Sequence, residues 1–335
     1  MALVSREEVL PRLREAAGHS VLVVGDVVLD RYVIGKATRL SREAPVPVLV
    51  HEESFSLPGS AANPALNIRA LHSRALQAAV IGDDDAGREL LRLLEAAGVE
   101  AGSVLPVPGR RTTVKQRILA RASLLHPQQM ARVDFLEPRP VPPAVLDRLA
   151  DEVRARAQEA EAILISDYQG GTVGEAVLAA CKKARADYGL PLCVDAQEDL
   201  WRYRGASLVK CNRDEASRAL GWPLTDDATF RDATARIMDR IESDLVAITR
   251  GGDGMSLRHV REGYFHLPAP NRSDVYDVVG AGDTVIAIMT LGMVAGWSPR
   301  LAATVAQLGS GIVIQRLGNA TPSYEELEEA ANRWL

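Results

Sequence analysis

The chain has 335 residues, 47% apolar but only 4% aromatic, so a large core must be filled mainly by Ala, Val and Leu. That length fits two domains, or one large α/β unit with an appendage. A net charge of −5 with interspersed signs and no dense basic run argues against nucleic acid, whose phosphates call for a concentrated cationic patch.

The N-terminal stretch MALVSREEVLPRLREAAGHS reads as a charged helix, not a secretory leader. Short apolar runs then alternate with amphipathic helical stretches, the pattern of a mostly parallel sheet covered by helices. The runs are 21–26, 76–82, 162–167, 192–195, 207–211 and 245–250, and they are apolar enough to be buried on both faces. Helices are expected over 61–72, 84–97, 144–159, 173–188 and 227–242. Two segments break the rhythm. PVPVLV (45–50) and TTVKQRIL (112–119) alternate with period two, as in a small sheet with one wet or partnered face. Pro45 and Pro47 suit an edge strand, and EPRPVPP (137–143) marks the return to the main sheet. No apolar span of about 20 residues occurs, so no membrane helix is expected. Cys181, Cys193 and Cys211 lack CxxC spacing and read as buried thiols of a reducing, cytoplasmic compartment.

Several runs end in polar residues: Asp26, Asp167, Asp195, Asn212 and Arg250. In an open α/β sheet the carboxyl ends of strands face the ligand crevice, so this edge is the expected site. GDVVLDRY adds Asp30, four residues beyond Asp26; both are carboxylates placed to grip sugar hydroxyls, and the plainer reading of Asp26 is a turn cap. LPGSAANPALNIRAL (57–71) combines a tight Gly59–Ser60 entry with Asn63 and Asn67 on one helical face, either capping groups or hydroxyl binders. Lys115 and Arg117 share one face of an alternating strand and suit an anionic substrate group; the plainer reading is a solvated edge. NRDE (212–215) sets Asn212 and Glu215 one turn apart, which fits a capping box or a water-linked Mg²⁺. TRGGDGMSL (249–257) is a strand, a glycine-rich turn and a second strand.

DVVGAGDTVIAIMTLGMVAG (277–296) carries the most chemistry. Gly280, Ala281 and Gly282 lead into a helix whose first N–H groups have no intrahelical partner, a natural seat for an anion. Asp283 beside that seat is either an ordinary N-cap or a general base for an alcohol. A Walker A loop is absent.

In this order and spacing, PGSAAN and DVVGAGD resemble the two signatures of the ribokinase/PfkB carbohydrate kinases, and the likeness runs from about residue 20 to 332. Within that family GDVVLDRYVIG, SREAPVPV, ISDY, WRYRGASL and LGNATPS resemble the kinases that phosphorylate D-glycero-β-D-manno-heptose 7-phosphate at O1. The resemblance implies a stand-alone kinase domain with a ribokinase-like three-layer α/β/α sandwich. Residues 1–30, 59–110 and 136–335 would form the nucleotide- and sugar-binding domain, and 31–58 with 111–135 a β lid that also joins a homodimer.

It further implies ATP and Mg²⁺ as cofactors, with K⁺ as a monovalent activator, and a sugar or sugar phosphate as partner. Asp283 would be the base, with the N–H groups of Gly280 to Asp283 as anion hole. Asp26, Asp30, Gly59, Ser60 and Asn63, with Asp167, would hold the sugar, and Lys115 and Arg117 its phosphate. Asn212, Thr249, Gly251, Gly254 and Gln307 would line the nucleotide. Glu215 would reach Mg²⁺ through water, and Asp277 would serve the monovalent cation. Two departures stand out: Asp195-Ala196-Gln197 replaces Asp-Pro-Lys, and Lys210-Cys211-Asn212 replaces Thr-Pro-Asn. Lys210 would compensate for a lost lysine.

Overall fold

The apolar runs become adjacent strands because each offers two hydrophobic faces to cover. The computed structural model describes residues 4–121, 127–270 and 275–335; residues 1–3, 122–126 and 271–274, parts of the ranges assigned above, lie outside the described residues. In chain order the strands are β1 (Ser20–Gly25), β2 (Val27–Leu40), β3 (Pro47–Ser60), β4 (Arg74–Gly82), β5 (Glu100–Val107), β6 (Val114–Arg121) and β7 (Gln128–Phe135). Then follow β8 (Ala162–Asp167), β9 (Leu192–Ala196), β10 (Leu208–Asn212), β11 (Leu245–Thr249), β12 (Met255–His259) and β13 (Gly263–Leu267).

Nine strands form the main sheet in the order β13-β12-β11-β10-β9-β8-β1-β4-β5. It is parallel from β11 to β5, and antiparallel only where β12 and β13 fold back. Alternation along β1 shows why both faces are dry. Val21 and Val23 join one core, with helices Ala62–Ala70, Ala281–Val294, Pro299–Val313 and Tyr324–Trp334. Leu22 and Val24 join the other, under helices Pro143–Ala157, Glu175–Tyr188 and Asp227–Ile241. The result is the expected three-layer sandwich. Each fully buried Val or Leu contributes about 1.5–3 kcal/mol, so the paired cores hold the strand ends in fixed register.

The second sheet has four strands, ordered β3-β2-β6-β7, where only two segments were expected. β2 was missed as a strand because its first residues, unlike an alternating strand, are buried without interruption. Pro47 opens β3 at one edge, as a residue without an N–H should. At the other edge every residue of β7 is exposed. β2 begins one residue after Asp26 and β3 ends at Ser60, so this second sheet, the expected lid, grows directly out of the main sheet's edge. Among the described residues no helix is long and apolar enough to cross a membrane.

Candidate active site

The helix Ala281–Val294 begins at Gly280, whose φ of 81° lies in the left-handed region. A side chain there would also collide with Asn63, since a Cβ would come within 2.5 Å of its Nδ2. The first regular helical bond runs from Thr284 N–H to Gly280 carbonyl at 2.9 Å. The N–H groups of Gly282 and Asp283 accordingly find no acceptor among the described residues, while Ala281 reaches the Val278 carbonyl at 3.4 Å. Open N–H groups at the positive end of a helix dipole define an anion seat.

Asp283 sits in that first turn and is buried. The Tyr168 hydroxyl donates to its Oδ1 at 2.8 Å, and Asn63 Nδ2 donates to its Oδ2 at 3.0 Å. Asn67 Nδ2 donates in turn to the Asn63 side-chain oxygen at 3.2 Å, which turns the Asn63 amide nitrogen toward the carboxylate. Burial, then the charge of Asp195, pushes the Asp283 carboxyl up to about 6 against these two donors. A carboxylate with that value is charged at neutral pH, yet basic enough to accept a proton from an alcohol.

Tyr168 was not singled out from the sequence, although it directly follows the strand-end Asp167. Its loop is held by Asp26, which accepts from the N–H groups of Tyr168 (3.0 Å), Gly170 (2.8 Å) and Thr172 (2.9 Å). Asp26 therefore shapes the loop that carries Tyr168, which is the turn-capping role open to it. Asp167 is likewise occupied: it accepts from Gln169 N–H at 2.9 Å and from the Tyr203 hydroxyl at 2.5 Å.

Asp30 and Arg117, expected at the sugar and its phosphate, face each other. They pair at 2.5 Å, each under a tenth exposed, and Asn319 Nδ2 donates to the other Asp30 oxygen at 2.7 Å. Tyr32 lies against the guanidinium, 5.3 Å from ring centroid to Cζ. Two opposite charges joined in this way leave no free cation at Arg117 for a substrate phosphate. Gly59 is required here, since a Cβ would sit 1.9 Å from Asp30 Oδ2.

Lys115 does face a cavity, of about 230 Å³, between lid and main domain. Its Nζ lies 3.4 Å from Ser60 Oγ and 5.4 Å from the Tyr168 ring centroid. Arg110, Arg111, Thr112 and Tyr168 also line this space, and Tyr168 stands between it and Asp283. Ser60 adopts φ 53°, a conformation that favours glycine.

At the carboxyl end of β10 Asn212 and Glu215 form a capping box: Asn212 Oδ1 accepts from Glu215 N–H at 2.9 Å, and Glu215 Oε2 accepts from Asn212 N–H at 2.6 Å. Burial pushes the Glu215 carboxyl up to about 6, against the attraction of Lys210. Thr249 is the register partner of Asn212 on β11. Gly251 and Gly254 shape the following turn with φ of 58° and 91°. Gln307 donates to the Leu267 carbonyl at 3.3 Å, and Asp277 accepts from Val279 and Gly318 N–H groups, both at 3.0 Å. Among the described residues no group of three or more His, Cys, Asp or Glu side chains stands ready to hold a metal.

A largely parallel sheet between helical layers, with a glycine-led helix terminus at its carboxyl edge, is the ribokinase-like architecture. Solved structures agree on the fold. Escherichia coli phosphofructokinase-2 in complex with potassium superposes with a TM-score of 0.75 at 20% identity, covering 95% of this chain and 99% of that one. Arabidopsis thaliana ribokinase complexed with ribose and ATP gives 0.71 at 20% identity, over 94% and 99%. The bifunctional protein HldE of Caulobacter vibrioides is 40% identical over 322 residues, 95% of this chain but 65% of that longer protein. Residues 19–326 match the model of the pfkB family carbohydrate kinases, and the chain belongs to that family. It is accordingly a phosphotransferase whose acceptor is an alcohol group of a sugar.

Proposed function

We propose that the chain uses ATP to phosphorylate a sugar that already carries a phosphate, with O1 of D-glycero-β-D-manno-heptose 7-phosphate as the first acceptor to test. The observation that carries this reading is Asp283, buried beside open helix N–H groups and linked through Tyr168 to a cavity lined by Arg110, Arg111 and Lys115. The motifs GDVVLDRYVIG, SREAPVPV and LGNATPS, which resemble those of heptose 7-phosphate kinases, support the heptose, and the ATP complex of the plant ribokinase supports the donor.

In this reading the acceptor hydroxyl takes the place of the Tyr168 hydroxyl on Asp283 Oδ1. The carboxylate removes its proton as the oxygen attacks the γ-phosphorus. The bond to the β-phosphate oxygen breaks and ADP leaves, while the N–H groups of Gly282 and Asp283 take up charge on the transferring group. Arg110, Arg111 and Lys115 hold the distal phosphate, replacing the expected role of Arg117. Bound Mg²⁺ would neutralise the nucleotide phosphates, and the Glu215 oxygen outside the capping box would reach it through water. Asp277 would act on a monovalent cation only indirectly, by ordering the loop at Val279 and Gly318.

The lid is proposed as a homodimer interface. Leu40, Val46, Val50, Met130, Val133 and Phe135 are exposed apolar side chains on it, and a small two-faced sheet needs a cover. Light scattering should give a dimer at micromolar concentration; a monomer there overturns the interface. For the activity, ATP consumption against a panel of sugars and sugar phosphates should peak on a phosphorylated sugar. A neutral sugar as best substrate would remove the phosphate reading.

A further inference from the structure

Lys210 lies at the carboxyl end of β10, in register with Asp195 on β9, so both side chains leave the same face of the sheet. They pair at 2.7 Å and are almost fully buried, 7% and 8% exposed. Asp195 accepts from only one of the three ammonium protons, and no other acceptor for the rest is found among the described residues. The ammonium points at the helix terminus described above: a Cβ added at Gly282 would fall 2.7 Å from Lys210 Nζ. Burial works against its charge, but Asp195, Glu215 and Asp283 outweigh that and hold the ammonium above its usual range.

Without this lysine three carboxylates would face an incoming polyphosphate. With it, a buried cation with unoccupied donors adjoins open N–H groups, all directed to one place. We propose that Lys210 binds the γ-phosphoryl group of the nucleotide against the N–H groups of Gly282 and Asp283, with Asp195 as the residue that positions it. The inference rests on the kinase reading and adds a phosphate-binding residue to it. Lys210 keeps its bond to Asp195 while a second proton reaches the phosphoryl oxygen, so no charge need leave the interior. Asp195 and Glu215 remain to balance the nucleotide's metal.

The competing role is purely structural, with Lys210 doing no more than neutralise Asp195. Calorimetric titration with Mg-ATP and, separately, Mg-ADP distinguishes them. Lys210→Met should weaken Mg-ATP binding by about ten- to a hundredfold, the range for one hydrogen bond to a charged group, and Mg-ADP by less than about threefold. Asp195→Asn/Lys210→Met removes both charges together; it should recover the thermal midpoint yet stay as weak toward Mg-ATP. Equal weakening of the two nucleotides, or recovery of Mg-ATP binding in the double variant, overturns the proposal. If Lys210→Met does not fold, the double variant alone decides, by its ratio of ATP to ADP affinity. Wild-type protein that transfers phosphate to no sugar in the panel would sink the kinase reading, while that ratio would still decide the role of Lys210.

Discussion

Two buried ion pairs, Arg117–Asp30 and Lys210–Asp195, are alike in exposure and length and different in what surrounds them. In the first, both Asp30 oxygens are taken, by Arg117 and Asn319, and Tyr32 covers the guanidinium. It fastens lid strands β2 and β6 to the loop at Asn319, so it behaves as a lock. In the second, the ammonium retains donors and stands beside helix N–H groups that lack acceptors. Burial of a charge therefore does not by itself identify a site. Unsatisfied hydrogen-bonding capacity next to a second unsatisfied group does.

The largest effect should come from the working side. Asp283→Asn removes the base, and kcat should fall by about 10²–10⁴-fold while Mg-ATP affinity stays near wild type, as read by steady-state kinetics and titration. Near-normal turnover would dissolve the distinction between lock and working site. The lock should fail through stability: Arg117→Ala leaves Asp30 buried and unpaired, at a cost of about 3–5 kcal/mol in denaturant unfolding. Asp30→Asn/Arg117→Met should regain much of that loss. An Arg117→Ala protein of unchanged stability but much higher KM for the sugar would show that the pair opens to substrate.

A smaller effect concerns pH. Because Asp283 acts as its carboxylate and burial has pushed its carboxyl up to about 6, kcat/KM should decline as pH falls through that value. Tyr168 donates to the charged form; in Tyr168→Phe the charged form loses support, so the acid limb should move to higher pH. A limb that stays in place would show that another group governs it. The smallest effect belongs to Ser60, whose left-handed backbone favours glycine. Ser60→Gly should gain about 0.5–1 kcal/mol in unfolding free energy, relief of the strained backbone being partly offset by the freer unfolded chain.

Much of this site was legible from local pattern. Asp26, Asp167, Asp195 and Asn212 do lie at the carboxyl ends of parallel strands, because an apolar run followed by a polar residue is a local signal. The glycine-led helix at Gly280 was legible for the same reason, and so was the capping box at Asn212. Roles assigned to single charges fared worse. Asp30 and Asp167 are expected to be free for a sugar, yet Arg117, Asn319 and Tyr203, all distant in the chain, occupy their oxygens. Tyr168, Arg110 and Asn319 were overlooked because a lone Tyr, Arg or Asn after a strand or in a loop has no periodic signature.

By itself the sequence determined the layered α/β class, the polar strand ends along one sheet edge, and the glycine-led start of the helix Ala281–Val294. All of these depend on side-chain alternation and on glycine over a few consecutive residues. Only the tertiary structure decided which charges meet. Asp30 and Arg117 are 87 residues apart, Tyr168 and Asp283 115, and Asp195 and Lys210 15. Their encounters are set by crossover connections and strand register, and electrostatic energy depends on final distance and burial, not on position along the chain.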